Sequence, residues 1–153
     1  MKILVCTDGS EQSQKSLEKA LIIAKGCNVN EVAIIHVYDL KRHDFSSFSK
    51  GEEYIPTEED LEKYILIEKS HKNEHKKILH EALKLFEEND INARTIFIEG
   101  HPSQTIVETA HEEGFDMIII GSRGLGGFRK VLLGSVSGAV VQEAKDCIVS
   151  VVK

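Results

Sequence analysis

Five short strand-like segments rich in apolar residues, set between stretches of helical spacing, constrain this chain more than any other feature. They are Ile3–Cys6, Val32–Tyr38, Arg94–Ile98, Asp116–Ile120 and Cys147–Val152. A strand with one wet face alternates apolar and polar residues. A continuous apolar run instead fits a strand covered on both faces, as in parallel sheets. The intervening segments carry helix signals. Ser10 can N-cap a helix in which Ser13, Ser16, Leu17, Ala20, Leu21 and Ala24 share a side, and Gly26 can end it. Small residues at Ser13 and Ser16 would let its first turns approach a sheet closely. Thr57 to Asp60 has the form of a capping box with Asp in the usual Glu place. A helix of about thirty residues is expected after it, since helical spacing persists that far. Leu61, Tyr64, Ile65, Ile78, Leu79, Ala82 and Phe86 would lie on one side of it. Its polar middle, Glu68 to Lys77, is expected to run past the edge of the core. Pro102 and Ser103 open a third helix with Ile106, Val107 and Ala110 inward, and Ser135 to Lys145 form a fourth. Residues 39–56 have no period and read as a long, mobile loop. Strands alternating with helices imply a parallel sheet joined by right-handed crossovers.

Composition narrows the function. A chain of 153 residues fits one domain, taken as 1–153. Its 41% hydrophobic and 29% charged residues argue against disorder. A net charge of −6 argues against nucleic acid or an anionic membrane as the main partner. No apolar run reaches the roughly 20 residues of a membrane span. The start, Met1 to Asp8, turns acidic too soon for a signal peptide and reads as a strand. Cys6, Cys27 and Cys147 are odd in number and widely spaced, which suits reduced thiols in a cytoplasmic protein.

In open parallel sheets, ligands sit beyond the carboxyl ends of strands. The first and fourth strand ends stand out, as Thr7-Asp8-Gly9 and Gly121-Ser122-Arg123-Gly124. After Gly124 and nine intervening residues come Gly134, Ser135, Val136 and Ser137, where the last helix begins. Backbone N–H groups and the dipole at a helix start can hold an anion. Arg123 adds a guanidinium suited to phosphate, and Ser135 and Ser137 add hydroxyls. The same residues also read as ordinary loop punctuation with Ser135 near the helix cap, and Asp8 as a plain turn residue.

The ordered set of motifs resembles the universal stress protein family along the whole chain. Gly121-x2-Gly124-x9-Gly134-Ser135 is similar to that family's ATP-binding signature. Ile3-Leu4-Val5-x-Thr7-Asp8-Gly9-Ser10, Ile35-His36-Val37, Gly100-x-Pro102 and Leu132-Leu133-Gly134-Ser135-Val136 complete the likeness. The resemblance implies a doubly wound five-stranded parallel sheet of order 3-2-1-4-5 with helices on both faces. It implies an ATP-binding regulatory protein of the stress response, with the nucleotide as a conformational or partner-recruiting signal. Asp8 and the backbone of Val37 would lie around adenine, with Cys6 and Thr7 at the same end and Gly121 near the ribose. Arg123, Gly124, Gly134, Ser135, Val136 and Ser137 would surround the phosphates. Mg²⁺ can accompany them, although no dense carboxylate site is readable. A homodimer through residues 147–152 is also implied. Many members have Pro after the Cys near the end, where this chain has Ile148, so the dimer's hydrogen bonding can differ.

Other signals carry less. His71-Lys72-Asn73-Glu74-His75 matches a zinc-protease pattern, but lies in the most polar part of a long helix. It reads as a solvated face, with both histidines dispensable. No Walker pattern is present. The turn Thr7-Asp8-Gly9-Ser10-Glu11-Gln12 does not match the Ser-Gly-Gly-x-Asp-Ser loop of adenylating relatives. A slow ATP hydrolase or adenylating enzyme stays open as an alternative, as does a ligand-free dimeric module. With no nucleophile–base pair readable, catalysis is the lesser expectation, and any ATP turnover should be very slow.

Overall fold

The computed structural model describes residues 1–39, 57–125 and 133–153. The element order is β1 (Lys2–Cys6), α1 (Glu11–Gly26), β2 (Glu31–Tyr38), α2 (Glu58–Glu87), β3 (Ala93–Glu99), α3 (Pro102–Glu112), β4 (Met117–Gly121), α4 (Ser135–Glu143) and β5 (Ile148–Val152). The five strands form one sheet of order β3-β2-β1-β4-β5. Each neighbouring pair runs parallel. The expected architecture and strand order are therefore present. Most of the proposed 39–56 loop lies outside the described residues.

Alternation along the strands builds two cores. Ile3 and Val5 of β1 pack with α1 and α2 on one face. Leu4 and Cys6 pack on the other with Ile106 and Ala110 of α3 and Val140 of α4. Ile3, Leu4 and Val5, like Ile118 and Ile119 of β4, are fully buried, which explains their unbroken apolar runs. At about 25 cal/mol per Å² of apolar area, burying such a side chain contributes about 1.5–3 kcal/mol. The sheet's lower rim is pinned by charge: Arg94 binds Glu31 and Glu113, and Lys2 binds Glu31.

Local chemistry sets the helix ends. The Ser13 N–H donates to Ser10 Oγ at 3.2 Å to cap α1. Thr57 and Asp60 complete the capping box that opens α2. Ser16 of α1 is fully buried, so small residues do let this helix lie close to the sheet. Helix α2 departs from its expected stripe. Leu79, Ala82 and Phe86 are buried as expected, but Leu61 and Ile65 are 46% and 59% exposed. The polar middle does not run free. Tyr64, Glu68, Lys72 and His75 continue the half-buried stripe toward the core residues. They meet Tyr38 at the end of β2, where Lys72 Nζ stands 5.9 Å from the Tyr38 ring centre. Among the described residues no helix is long and apolar enough to cross a membrane.

Candidate functional site

The central strand β1 delivers Thr7 and Asp8 to the carboxyl rim between β2 and β4. The Thr7 N–H extends the ladder to the Ile35 carbonyl at 3.0 Å. Gly9 then turns the chain at φ +81°, a backbone state that side chains resist. Asp8 fastens this turn, its Oδ1 accepting the Ser10 N–H at 3.0 Å. Its Oδ2 accepts the Leu125 N–H at 3.3 Å. One carboxylate thus ties the β1–α1 turn to the segment after β4. A Cβ on Gly124 would collide with that same Oδ2, so Gly124 lets the two segments meet.

Gly121 has a different neighbour. A Cβ there would stand 2.9 Å from the Gln12 carbonyl carbon. This residue is where α1 presses on β4, whatever else lies above it. The next residue joins β4 to α4. The Ser122 carbonyl accepts the Gly134 N–H at 2.7 Å and the Ser137 hydroxyl at 3.0 Å. These bonds hold the start of α4 against the end of β4. Ser137 is only 2% exposed, so its hydroxyl fastens the loop in this arrangement. Ser135 is the exposed serine, and Val136 is half-buried.

Two features give this corner anion-binding character. Among the described residues no side chain caps α4 at Gly134. The first N–H groups of a helix have no acceptor within it. Arg123, adjacent, has a buried Nε with no hydrogen-bond partner among the described residues. Cys6 and Val37 lie on the α3/α4 side of the sheet, below the same rim. Burial pushes the Cys6 thiol far up, and the Asp8 charge adds to the effect. It stays protonated and is no nucleophile. On the opposite side, a cavity of about 210 Å³ opens between α1 and α2, lined by Thr7, Asp8, Gly9, Leu17, Ile78 and Leu125. Of the residues expected at the site, only Thr7 and Asp8 reach it.

The expectation of a solvated histidine face needs correction. His75 Nδ1 lies 2.7 Å from His36 Nε2. His36 Nδ1 lies 2.8 Å from the Thr7 carbonyl oxygen. Substituting His75 is therefore not neutral, because it removes the partner of a buried imidazole beside the site. His71 pairs with Glu74 at 3.8 Å. Among the described residues no group of three His, Cys, Asp or Glu side chains could hold a metal ion.

The sequence model of the universal stress protein family matches residues 1–153. The chain belongs to the universal stress protein family. Universal stress protein YxiE of Bacillus subtilis (strain 168) is 36% identical over 152 residues, covering 99% of this chain and 98% of that one. Universal stress protein MJ0531 of Methanocaldococcus jannaschii is also 36% identical, over 99% of this chain and 81% of its own length. Among solved structures, MJ0577 from the same archaeon aligns with a TM-score of 0.74 at 29% identity, covering 99% of this chain and 94% of that one. The family's shared fold extends to the Archaeoglobus fulgidus protein solved with dAMP. That alignment has a TM-score of 0.66 at 21% identity, covering 100% of this chain and 98% of that one.

Proposed function

We propose that this chain binds an adenine nucleotide, ATP with or without Mg²⁺, across the carboxyl ends of β1 and β4. The bound nucleotide would set the conformation that a protein partner reads, making the chain a regulatory nucleotide-binding protein rather than an enzyme. The observation that carries the reading is the buried Nε of Arg123, without a hydrogen-bond partner among the described residues, beside a helix start that none of those residues' side chains caps. An unmet buried donor costs about 1–3 kcal/mol. A phosphate oxygen would satisfy it and the α4 N–H groups together.

Electrostatics supports one direction for the ligand. Arg123, Gly124, Gly134, Ser135, Val136 and Ser137 would take the phosphates. The Asp8 carboxylate repels them and can only accept hydrogen bonds, so it suits the amino group of a base. Val37, Cys6 and Thr7 would flank that base, and Gly121 would back the ribose. With no metal-ready cluster among the described residues, Mg²⁺ would enter with the phosphates. Universal stress proteins solved with dAMP, cAMP or AMP share this fold, which supports the ligand class.

Calorimetric titration with ATP, ADP, AMP and cAMP is the test. ATP should bind the wild type, and Arg123→Ala should weaken it roughly 10- to 150-fold, the worth of a hydrogen bond to a charged group. Gly134→Val should abolish binding in a folded protein, because an added Cβ would stand 3.3 Å from the Ser122 carbonyl oxygen and push the start of α4 away from Arg123. A folded wild type giving no heat with millimolar nucleotide overturns the proposal.

A further inference from the structure

His36 and His75 form a connection that the nucleotide residues above do not use. His36, in β2, is 3% exposed. Its two ring nitrogens face opposite ways, Nδ1 toward the Thr7 carbonyl at 2.8 Å and Nε2 toward His75 Nδ1 at 2.7 Å. Thr7 directly precedes Asp8. Two successive hydrogen bonds therefore run from α2, through β2, to the turn that presents Asp8.

The protons on this chain follow from its ends. A carbonyl oxygen only accepts, so His36 Nδ1 carries a hydrogen. When His36 is neutral its Nε2 is bare, and His75 Nδ1 must donate to it. One added proton still leaves a single N–H between the two rings, whichever ring holds the charge. A second added proton sets N–H against N–H and places two positive charges side by side. The bond then becomes a repulsion. Groups coupled this closely lose their protons in two steps that belong to the pair.

The surroundings make the pair's geometry matter. The His36 ring stacks on Phe97 at 6.0 Å, and the His75 ring lies 4.8 Å from Tyr38. Asp8 faces His36 from the β1–α1 turn, and its charge favours the protonated ring, as does the Thr7 carbonyl. Burial opposes them and prevails, so His36 holds its proton less readily than a free imidazole. From α2, Glu68 and Lys72 act on neighbouring Tyr38, as does Glu99 from the end of β3. His71, one turn before His75, faces Glu74.

We propose that His36 and His75 form a proton-governed latch that positions the Thr7–Asp8 turn, closed with at most one added proton on the pair and open with two. Both are positioning residues. The latch itself is read without ligand; only its effect on affinity rests on the nucleotide reading. His36 keeps its Nδ1–H toward the Thr7 carbonyl in both states, but repulsion from His75 pushes the His36 ring from its seat, loosens that bond and the turn that presents Asp8, and so lowers ligand affinity in acid.

Long-range proton–nitrogen NMR of the imidazoles from pH 8 to 5 tests the latch, with hydrogen exchange at the Gly9 and Ser10 amides. The two histidines should titrate as a coupled pair, and exchange in the turn should rise at least tenfold at the second step. His75→Gln supplies an amide that can offer either end to His36 Nε2. It should keep the turn protected and remove the pH step. His75→Leu should lose protection at every pH. Independent titration of the two rings, or an unchanged pH step in His75→Gln, overturns the proposal. In a second arm, calorimetry with ATP at pH 7.5 and 5.5 should show at least fivefold weakening in the wild type but not in His75→Gln. Equal affinity at both pH values, with NMR reporting an open latch, overturns the link to the site. If no variant binds nucleotide at any pH, the nucleotide reading fails, and the NMR arm alone decides the latch.

Discussion

Adding one methyl group at Gly121 and at Gly124 should produce opposite losses. At Gly121 the new Cβ would stand 2.9 Å from the Gln12 carbonyl carbon, 3.0 Å from its Cβ and 3.1 Å from its oxygen. Two of these are backbone atoms, so α1 as a whole must give way. It cannot retreat easily, because Ser16, Leu17 and Ala20 on the same helix are at most 1% exposed. Overpacking of this kind costs about 1–3 kcal/mol. Replacing glycine also returns about 0.4–1 kcal/mol by restricting the unfolded chain. The net loss for Gly121→Ala therefore centres on about 1.3 kcal/mol within a span of about 0–2.6, and the central value is roughly 3–5 °C in Tm for a chain of this size. At Gly124 the new Cβ meets only the tip of the Asp8 side chain. The carboxylate can swing aside, at the cost of its bond from the Leu125 N–H, about 0.5–1.5 kcal/mol. The gain through the unfolded chain nearly offsets that, so Gly124→Ala should melt close to the wild type while losing nucleotide affinity. Urea unfolding and ATP calorimetry on both variants separate the cases. Gly121→Ala as stable as the wild type, or Gly124→Ala the less stable of the two, would refute this division of roles.

The remaining predictions are shorter. Gly26→Ala meets nothing within 4 Å at the end of α1, so urea unfolding should show a gain of about 0.4–1 kcal/mol. Ser137→Ala leaves the buried Ser122 carbonyl with one donor fewer and should cost about 1–3 kcal/mol in the same assay. His36 binds its proton less readily folded than unfolded, so its contribution to stability is complete above about pH 6.5 and is lost as pH falls through the lower folded value. Urea midpoints at pH 7.5 and 5.5 should reveal a drop that His75→Gln reduces. The proposed dimer through β5 predicts that Val149→Pro weakens association in sedimentation. Ile148 N–H already points at the Asp116 carbonyl of the β4 side, so alternation turns the Val149 N–H toward the open edge.

The central strands were legible because burial on both faces leaves a short unbroken apolar run, bounded here by turn residues. Ile3 to Cys6 and Met117 to Ile120 are apolar at consecutive positions because alternate residues feed two different cores. Helix α1 was legible for a related reason, since Ser13 and Ser16 are small and buried on its inward side. Helix α2 was legible in extent but not in orientation. Leu61 and Ile65 fit an inward stripe by spacing, yet the stripe that faces the sheet passes through Tyr64, Glu68, Lys72 and His75. A hydrophobic count favours the wrong side wherever the sheet's rim offers polar and aromatic partners.

The same limit explains what could be read of the site. Gly124 and Gly134 announced a close approach, but not what approaches. The sequence ties Gly124 to a ligand, whereas the nearest atom to its missing side chain belongs to Asp8, far earlier in the chain. His36 and His75 lie in separate elements, and no spacing rule connects a strand residue to a helix residue across a long loop. One signal was available. A histidine inside the apolar run Val32–Tyr38 must spend its two ring nitrogens on partners within the fold, since water does not reach a strand covered on both faces. Thr7 satisfies one nitrogen from the next strand. The other has to be met from the helix that covers this face of the sheet, and α2 is that helix. A buried imidazole in a central strand is thus itself a reason to search the covering helix for a polar residue, and the most polar stretch of α2 holds it.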